Sequence, residues 1–272
     1  MIQLPYGLRD GRLMHVGEVE GGRRCGCVCP ECRQPLIAKK GAKNLHHFAH
    51  DRNADCPGAL ETALHLAAKA ILSSRCCLRV PAVRLKFASL KSPWRLFPAT
   101  WIRFDEVLAE QWTGGIRPDI IGRTEGRPLL IEIAVTHPAG PEKRERIRQL
   151  GISALEISLA HLPPENMTPV ALAREIIGRI ANKQWLYNHK AEQAAQFLFQ
   201  LAAWKPVIRI NRRLFVHNCP LRRGLSQMRL ADISHDCLFC EYCIDNGMQS
   251  GAQQIGCLGD SGIRNYEDLV RR

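Results

Sequence analysis

Residues 117–134 read Arg117-Pro-Asp-Ile-Ile-Gly-Arg-Thr-Glu-Gly-Arg-Pro-Leu-Leu-Ile-Glu-Ile-Ala134. Two apolar runs flank Thr124-Glu-Gly-Arg127, a composition that reads as a tight turn between paired strands. A two-residue turn at Glu125-Gly126 opposes 124 with 127, and a four-residue loop opposes 123 with 128; in both, partners sum to 251. Asp119 then faces Glu132 across the ladder, with Cβ atoms about 5 Å apart. Like charges opposite one another destabilise a sheet, and the neighbours Ile120, Ile121, Ile131 and Ile133 offer no compensation. A divalent cation offers the simplest one, and Mg²⁺ or Mn²⁺, which takes few carboxylates and completes its shell with water and phosphate oxygens, suits two acids beside a nucleic-acid backbone. The competing reading is a pair of solvated acids on an exposed strand face.

Outward from this hairpin, the spacing predicts a helix over 59–75, strands near 79–88, 99–109, 117–123 and 128–135, a helix over 140–150 and a strand over 153–158. Pro138-Ala-Gly-Pro141 ends the last hairpin strand, and Gly151 suits the position just past the second helix. Glu61, His65 and Lys69 recur at four-residue spacing, so they share one side of the first helix and can close over the acidic pair. Glu61 is equally an ordinary first-turn acid interacting with the helix dipole. Beyond 165, helix-like spacing covers 170–180 and 184–204, Pro206 ends it, and a short strand is expected over 207–216.

The twelve cysteines are segregated: seven lie between Cys25 and Cys77, five between Cys219 and Cys257, and none between. The start of the chain lacks the charged and apolar regions of a signal peptide, so a reducing, cytoplasmic setting and metal-bound thiols are expected rather than disulfides. Cys29-Pro-Glu-Cys32 followed by His47-Phe-Ala-His50 gives two thiolates and two imidazoles, enough to close a tetrahedron around a structural Zn²⁺. Cys25, Cys27 and Cys56 are alternatives to a histidine. At the other end, Cys219, Cys237 and Cys240 with Cys257, or else Cys243, supply a second zinc site. Arg209, Arg212, Arg213, Arg222, Arg223 and Arg229 surround that module.

With 38 Lys and Arg against 26 Asp and Glu, the net charge of +12 favours a polyanionic partner. The ordinary globular mixture excludes a disordered or fibrous chain, and no run approaches the roughly 18 apolar residues of a membrane span.

Over most of residues 25–160, these motifs resemble the competence protein CoiA-like family, a zinc ribbon followed by a PD-(D/E)XK-type nuclease domain. The matching pieces are Cys29-Pro-Glu-Cys32 with Leu36-Ile-Ala-Lys-Lys40, the His46–His50 run, Glu61 with His65 and Lys69, Arg117-Pro-Asp119, and Ile131-Glu132-Ile133. The resemblance implies an α/β chain with a restriction-endonuclease-like core of helix, mixed sheet, helix and strand, flanked by an N-terminal zinc ribbon and a C-terminal cysteine-rich zinc module. The expected divisions are 1–58, 59–165, a helical connector at 166–205, and 206–272. It implies a metal-dependent DNA nuclease acting in DNA processing or recombination, with Asp119 and Glu132 on the metal and Glu61 assisting. The motif's lysine is replaced by Ala134, and Lys143 or Arg117 is the substitute cation. Without one, the alternative is a catalytically silent DNA-binding adaptor. DNA is the expected partner, and no membrane.

Overall fold

Glu125 and Gly126 have φ of 49° and 75°, the left-handed pair that a two-residue hairpin turn requires. The strands on either side pair antiparallel from Ile120↔Ile131 to Thr124↔Arg127, so the register has the sum that the turn imposed. The computed structural model describes residues 3–42, 45–51, 55–87, 93–160, 162–222, 229–245 and 253–271. They fall into two units, Met1–Pro81 with Ala99–Asn188, and Ala82–Pro98 with His189–Arg272.

The first unit contains β1 (Leu36–Lys39), β2 (His47–His50), α1 (Ala59–Arg75), β3 (Glu106–Ala109), β4 (Ile120–Thr124), β5 (Arg127–Ala134), α2 (Pro141–Leu150), β6 (Ala154–Ser158) and β7 (Lys183–Tyr187). Strands β3 to β7 form a sheet in the order β7-β6-β5-β4-β3. Only β5 and β6 run parallel, and α2 is the crossover that such a pair needs.

Ala63, Leu64, Ala67, Ala68 and Leu72 put the apolar side of α1 against Ile120, Ile131, Ile133, Leu155 and Ile157. The alternate side chains Ile121, Leu130 and Ala154 pack with Ile147 of α2. A strand covered on both faces reads as a nearly continuous apolar run, which is why β5 is buried from Leu129 to Ala134. Gly122 is required for close approach: a Cβ there would stand 2.5 Å from the Phe104 ring. Gly151, at φ 66°, ends α2 by donating its N–H to the Arg148 carbonyl.

Three expectations are revised. The strand expected near 79–88 breaks at Pro81: Cys77–Val80 pairs with Thr100–Arg103, while Val83–Leu85 pairs with Trp94–Phe97 in the second unit. Residues 184–187 are strand rather than helix because they continue the sheet beside β6, so the sheet extends past residue 165. The single strand expected over 207–216 is a hairpin, β8 (Ala203–Ile210) and β9 (Arg213–Val216), turning at Asn211-Arg212.

In the second unit α3 (His189–Leu201) precedes β8 and β9, followed by β10 (Ala231–Asp232), β11 (Cys243–Asp245) and β12 (Gln254–Cys257). The sheet order is β10-β9-β8-β12-β11. Val207, Val216, Ile233 and Ile255 pack with Cys237 and Cys243 in its core. No helix among the described residues is long and apolar enough to cross a membrane.

Candidate metal centre and carboxylate site

The turn preceding β1, the end of β2 and the segment leading into α1 gather four ligand-bearing side chains. The donor atoms of Cys29, Cys32, His50 and Cys56 all lie within 4.8 Å of one another, with Cys32 Sγ 3.2 Å from His50 Nε2. Cys29 opens a tight turn in which its carbonyl accepts from Arg33 N–H, and Arg33 takes φ 62°. Leu36 pairs with His50, which delivers the imidazole to that turn. Cys56 arrives from the first turn before α1, where its carbonyl accepts from Ala59 N–H.

His47 is elsewhere. On a strand, residues three apart point to opposite faces, and His47 Nδ1 lies 2.9 Å from the Leu45 carbonyl oxygen. Cys56, and not His47, stands with Cys29, Cys32 and His50 in the structure. Cys25 and Cys27 are core thiols, bonded to the Leu36 and Cys25 carbonyls. Burial, then the neighbouring Cys32 and Cys29 thiols, push Cys56 up to about 12; clustered sulfurs cannot all ionise unless a cation joins them. Three thiols and an imidazole are a donor set that fits Zn²⁺, and this cluster could bind it.

The second site is assembled from four elements of the sheet and its helices. Asp119, one residue before β4, accepts from the Ile133 N–H on Oδ2 at 2.9 Å. Its Oδ1 lies 3.2 Å from His65 Nδ1 and 3.6 Å from Lys69 Nζ. Burial raises the Asp119 pKa, but the His65 contact, the Ile133 N–H and Lys69 outweigh it and hold the carboxyl low. Glu132 is treated differently. It is 5% exposed, and burial, with the Asp119 and Glu156 carboxylates, pushes it up to about 7 against the pull of Lys143. Lys143 Nζ reaches Glu132 Oε2 at 2.6 Å, while Glu132 Oε1 is buried with no hydrogen-bond partner among the described residues.

Glu61 joins from α1: its Oε2 accepts from Thr136 Oγ1 at 2.6 Å, and its Oε1 lies 3.9 Å from His65 Nε2. Thr136, Glu61, His65 and Asp119 thus form a continuous polar line. Arg117 is turned away, bonded to the backbone and carboxylate of Glu110. The carboxylate of Glu110 also pairs with Lys69. Of the two substitutes for the missing lysine, only Lys143 meets the acidic pair.

Glu156 had not been singled out. It pairs with Glu132 across the parallel β5–β6 register and is 1% exposed. Its oxygens accept from Ala139 N–H and Gln184 Nε2, both at 2.5 Å. A lone acid in Ala154-Leu-Glu-Ile-Ser158 is the same signal that marked Glu132, an anion inside an apolar strand.

In the second unit Cys219, Cys237, Cys240, Cys243 and Cys257 line one cavity of about 20 Å³. Burial, then the other four sulfurs, push Cys237 up to about 12, and Cys257 Sγ accepts from Gly259 N–H at 3.3 Å. The N-terminal four remain the only gathered set of potential metal ligands among the described residues. Arg222 is paired with Asp236, and Arg223 lies outside the described residues.

Residues 18–59 match the family model for competence protein CoiA, N-terminal domain. Over those residues the chain is similar to the CoiA N-terminal domain. All four side chains of the N-terminal cluster fall inside the CoiA match, so the segment similar to that family is the one that organises the candidate metal centre. The match ends at Ala59, where α1 begins, and the carboxylate site lies beyond it. Neither a curated protein nor a solved structure matches the chain.

Proposed function

We propose that this CoiA-like chain is a Mg²⁺- or Mn²⁺-dependent DNA nuclease, hydrolysing phosphodiesters in competence-related DNA processing or recombination in the cytoplasm. The observation that carries this reading is Glu132 Oε1, a buried carboxylate oxygen with no hydrogen-bond partner among the described residues, on a side chain tied to Lys143 and within electrostatic reach of Asp119. An anion in that position is costly unless a proton or a cation joins it. Two carboxylates are hard oxygen donors that fit Mg²⁺ or Mn²⁺. Asp119 and Glu132 would hold the ion, which when bound supplies a polarised phosphate and a more acidic water.

The chain's own groups prepare that site. Ile133 N–H and His65 orient the two oxygens of Asp119, and Glu61 orients His65 from the other side. Lys143 fixes Glu132 and brings a positive charge to a place where negative charge develops on phosphate during hydrolysis. The order helix, mixed sheet, helix, strand over 59–165 supports a nuclease-like core after an N-terminal zinc ribbon (1–58); the 166–205 stretch, expected as a helical connector, adds β7 to that sheet before α3, and a cysteine-rich module (206–272) follows. Zn²⁺ in the N-terminal cluster is structural, since four protein ligands leave no open position. The five cysteines lining one cavity of the second unit are the support for a second Zn²⁺ held by Cys219, Cys237, Cys240 and Cys257, a ligand set less closely gathered than the N-terminal one.

Asp119→Asn and Glu132→Gln test the reading. Each should abolish Mg²⁺-dependent cleavage of plasmid, linear duplex or single-stranded DNA while leaving DNA affinity intact or improved, because one anion fewer faces the phosphates. Equal cleavage by wild type and both variants would move the site elsewhere. A wild-type protein that binds DNA and cleaves none of it with either metal would favour the adaptor reading, which rests on Ala134.

A further inference from the structure

We propose that the β8–β9 hairpin is a DNA-binding arm that lies in a groove of duplex DNA. The inference rests on the proposed DNA-acting function only for its choice of polyanion. The arm itself is a matter of geometry. Strand β12 pairs with β8 only over Ala203–Pro206, and β10 pairs with β9 only at Phe215 and Val216. Past those points Ile210↔Arg213 has no further backbone partner among the described residues, and of Arg209↔Leu214 only the Leu214 carbonyl is engaged from outside the hairpin, accepting from Ile233 N–H at 2.9 Å. A free two-stranded ribbon is marginally stable in water, and this one exposes Ile210 at 39% and Leu214 at 37%.

Its charge selects the partner. Residues 203–216 contain Lys205, Arg209, Arg212 and Arg213 and no acidic residue, and the second unit carries 15 Lys and Arg against 8 Asp and Glu. Arg209 and Arg212 have no carboxylate partner among the described residues, and Arg213 is 60% exposed beside Asp232 at 3.4 Å. The register puts Arg209 with Leu214 on one face and Ile210 with Arg213 on the other, so each face carries one cation and one apolar side chain. A B-DNA major groove, about 12 Å wide, admits a two-stranded ribbon, with cations at the phosphate walls and apolar groups against base edges and thymine methyls. Arg212 sits at the tip with φ 68°, a conformation in which glycine carries no penalty. The turn itself does not call for an arginine at that position.

The test measures binding of the full chain to duplex DNA, without added Mg²⁺, across a salt series. The variant Arg209→Ser/Arg212→Gly/Arg213→Ser should flatten the slope of log affinity against log salt by about 2 to 3, and weaken binding at least about tenfold at 0.1 M salt. Arg212→Gly alone should reduce the slope by about one while the melting temperature holds or rises, which separates lost contact from lost folding. Unchanged affinity and slope in both variants would overturn the arm. So would a loss confined to single-stranded DNA, or a loss seen only for anionic vesicles. Should wild type and arm variants bind and cleave alike, the arm falls and the nuclease reading stands. Should the arm variants lose binding while no form of the protein cleaves, the arm stands and the nuclease reading falls.

Discussion

Lys143 Nζ lies 2.6 Å from Glu132 Oε2, so the cation that position 134 lacks reaches the second acid from α2 instead of from its own strand. On β5 a lysine at 134 would share the face of Glu132, because alternate residues point the same way. In the first turn of α2, Lys143 delivers the same charge to the same carboxylate from the crossover that follows.

Lys143→Met is expected to lower Mg²⁺-dependent cleavage by roughly 10² to 10³, the scale of losing one preorganised charge, while leaving DNA affinity near wild type. Arg117→Ala should change the rate little, since Arg117 is held by Glu110. Single-turnover cleavage at saturating DNA measures both; a larger loss in Arg117→Ala would reverse the assignment.

Glu132 makes stability depend on pH with a definite sign. Its folded pKa is raised from 4.5 to about 7, so between these values the folded chain holds a proton that the unfolded chain has released. Stability contributed by this group therefore falls as pH rises through that window and levels off above about 7. Urea midpoints should drop from pH 5 to pH 8 in wild type by more than in Glu132→Gln, and Mg²⁺ should restore more of the loss at pH 8 than at pH 5. Equal pH dependence in the two proteins would contradict the burial argument.

Cys56→Ser should remove one equivalent of zinc and destabilise the first unit, whereas His47→Ala should keep full zinc content. Elemental analysis after desalting, with a melting curve on each variant, decides it. The opposite pattern would return His47 to the ligand set.

Gly122→Ala should cost about 1–3 kcal/mol, because the added Cβ would sit 2.5 Å from the Phe104 ring in a packed sheet. Denaturant unfolding measures it. A variant as stable as wild type would mean that the Phe104 ring can move aside freely.

The hairpin register around Glu125-Gly126, the extent of α1 and the end of α2 at Gly151 were legible in the amino-acid order. These are local: a turn type, a 3.6-residue period and a left-handed cap are each set within a few residues. The same locality marked Asp119, Glu132 and the Glu61, His65, Lys69 side of α1. What tertiary structure decided were choices among groups distant in sequence. Cys29-Pro-Glu-Cys32 specified two thiols, but Cys56 displaced His47 because strand alternation in β2 turns His47 and His50 to opposite faces, a fact that spacing alone does not carry. Glu156 entered the site through the parallel pairing of β5 with β6, and Lys143 was preferred over Arg117 through the packing of α2 on that face. The joint at Pro81 likewise depended on which strands found partners: a proline lacks the N–H for a ladder, and the sequence on either side is equally strand-like, so only pairing across the fold assigns the two halves to different units.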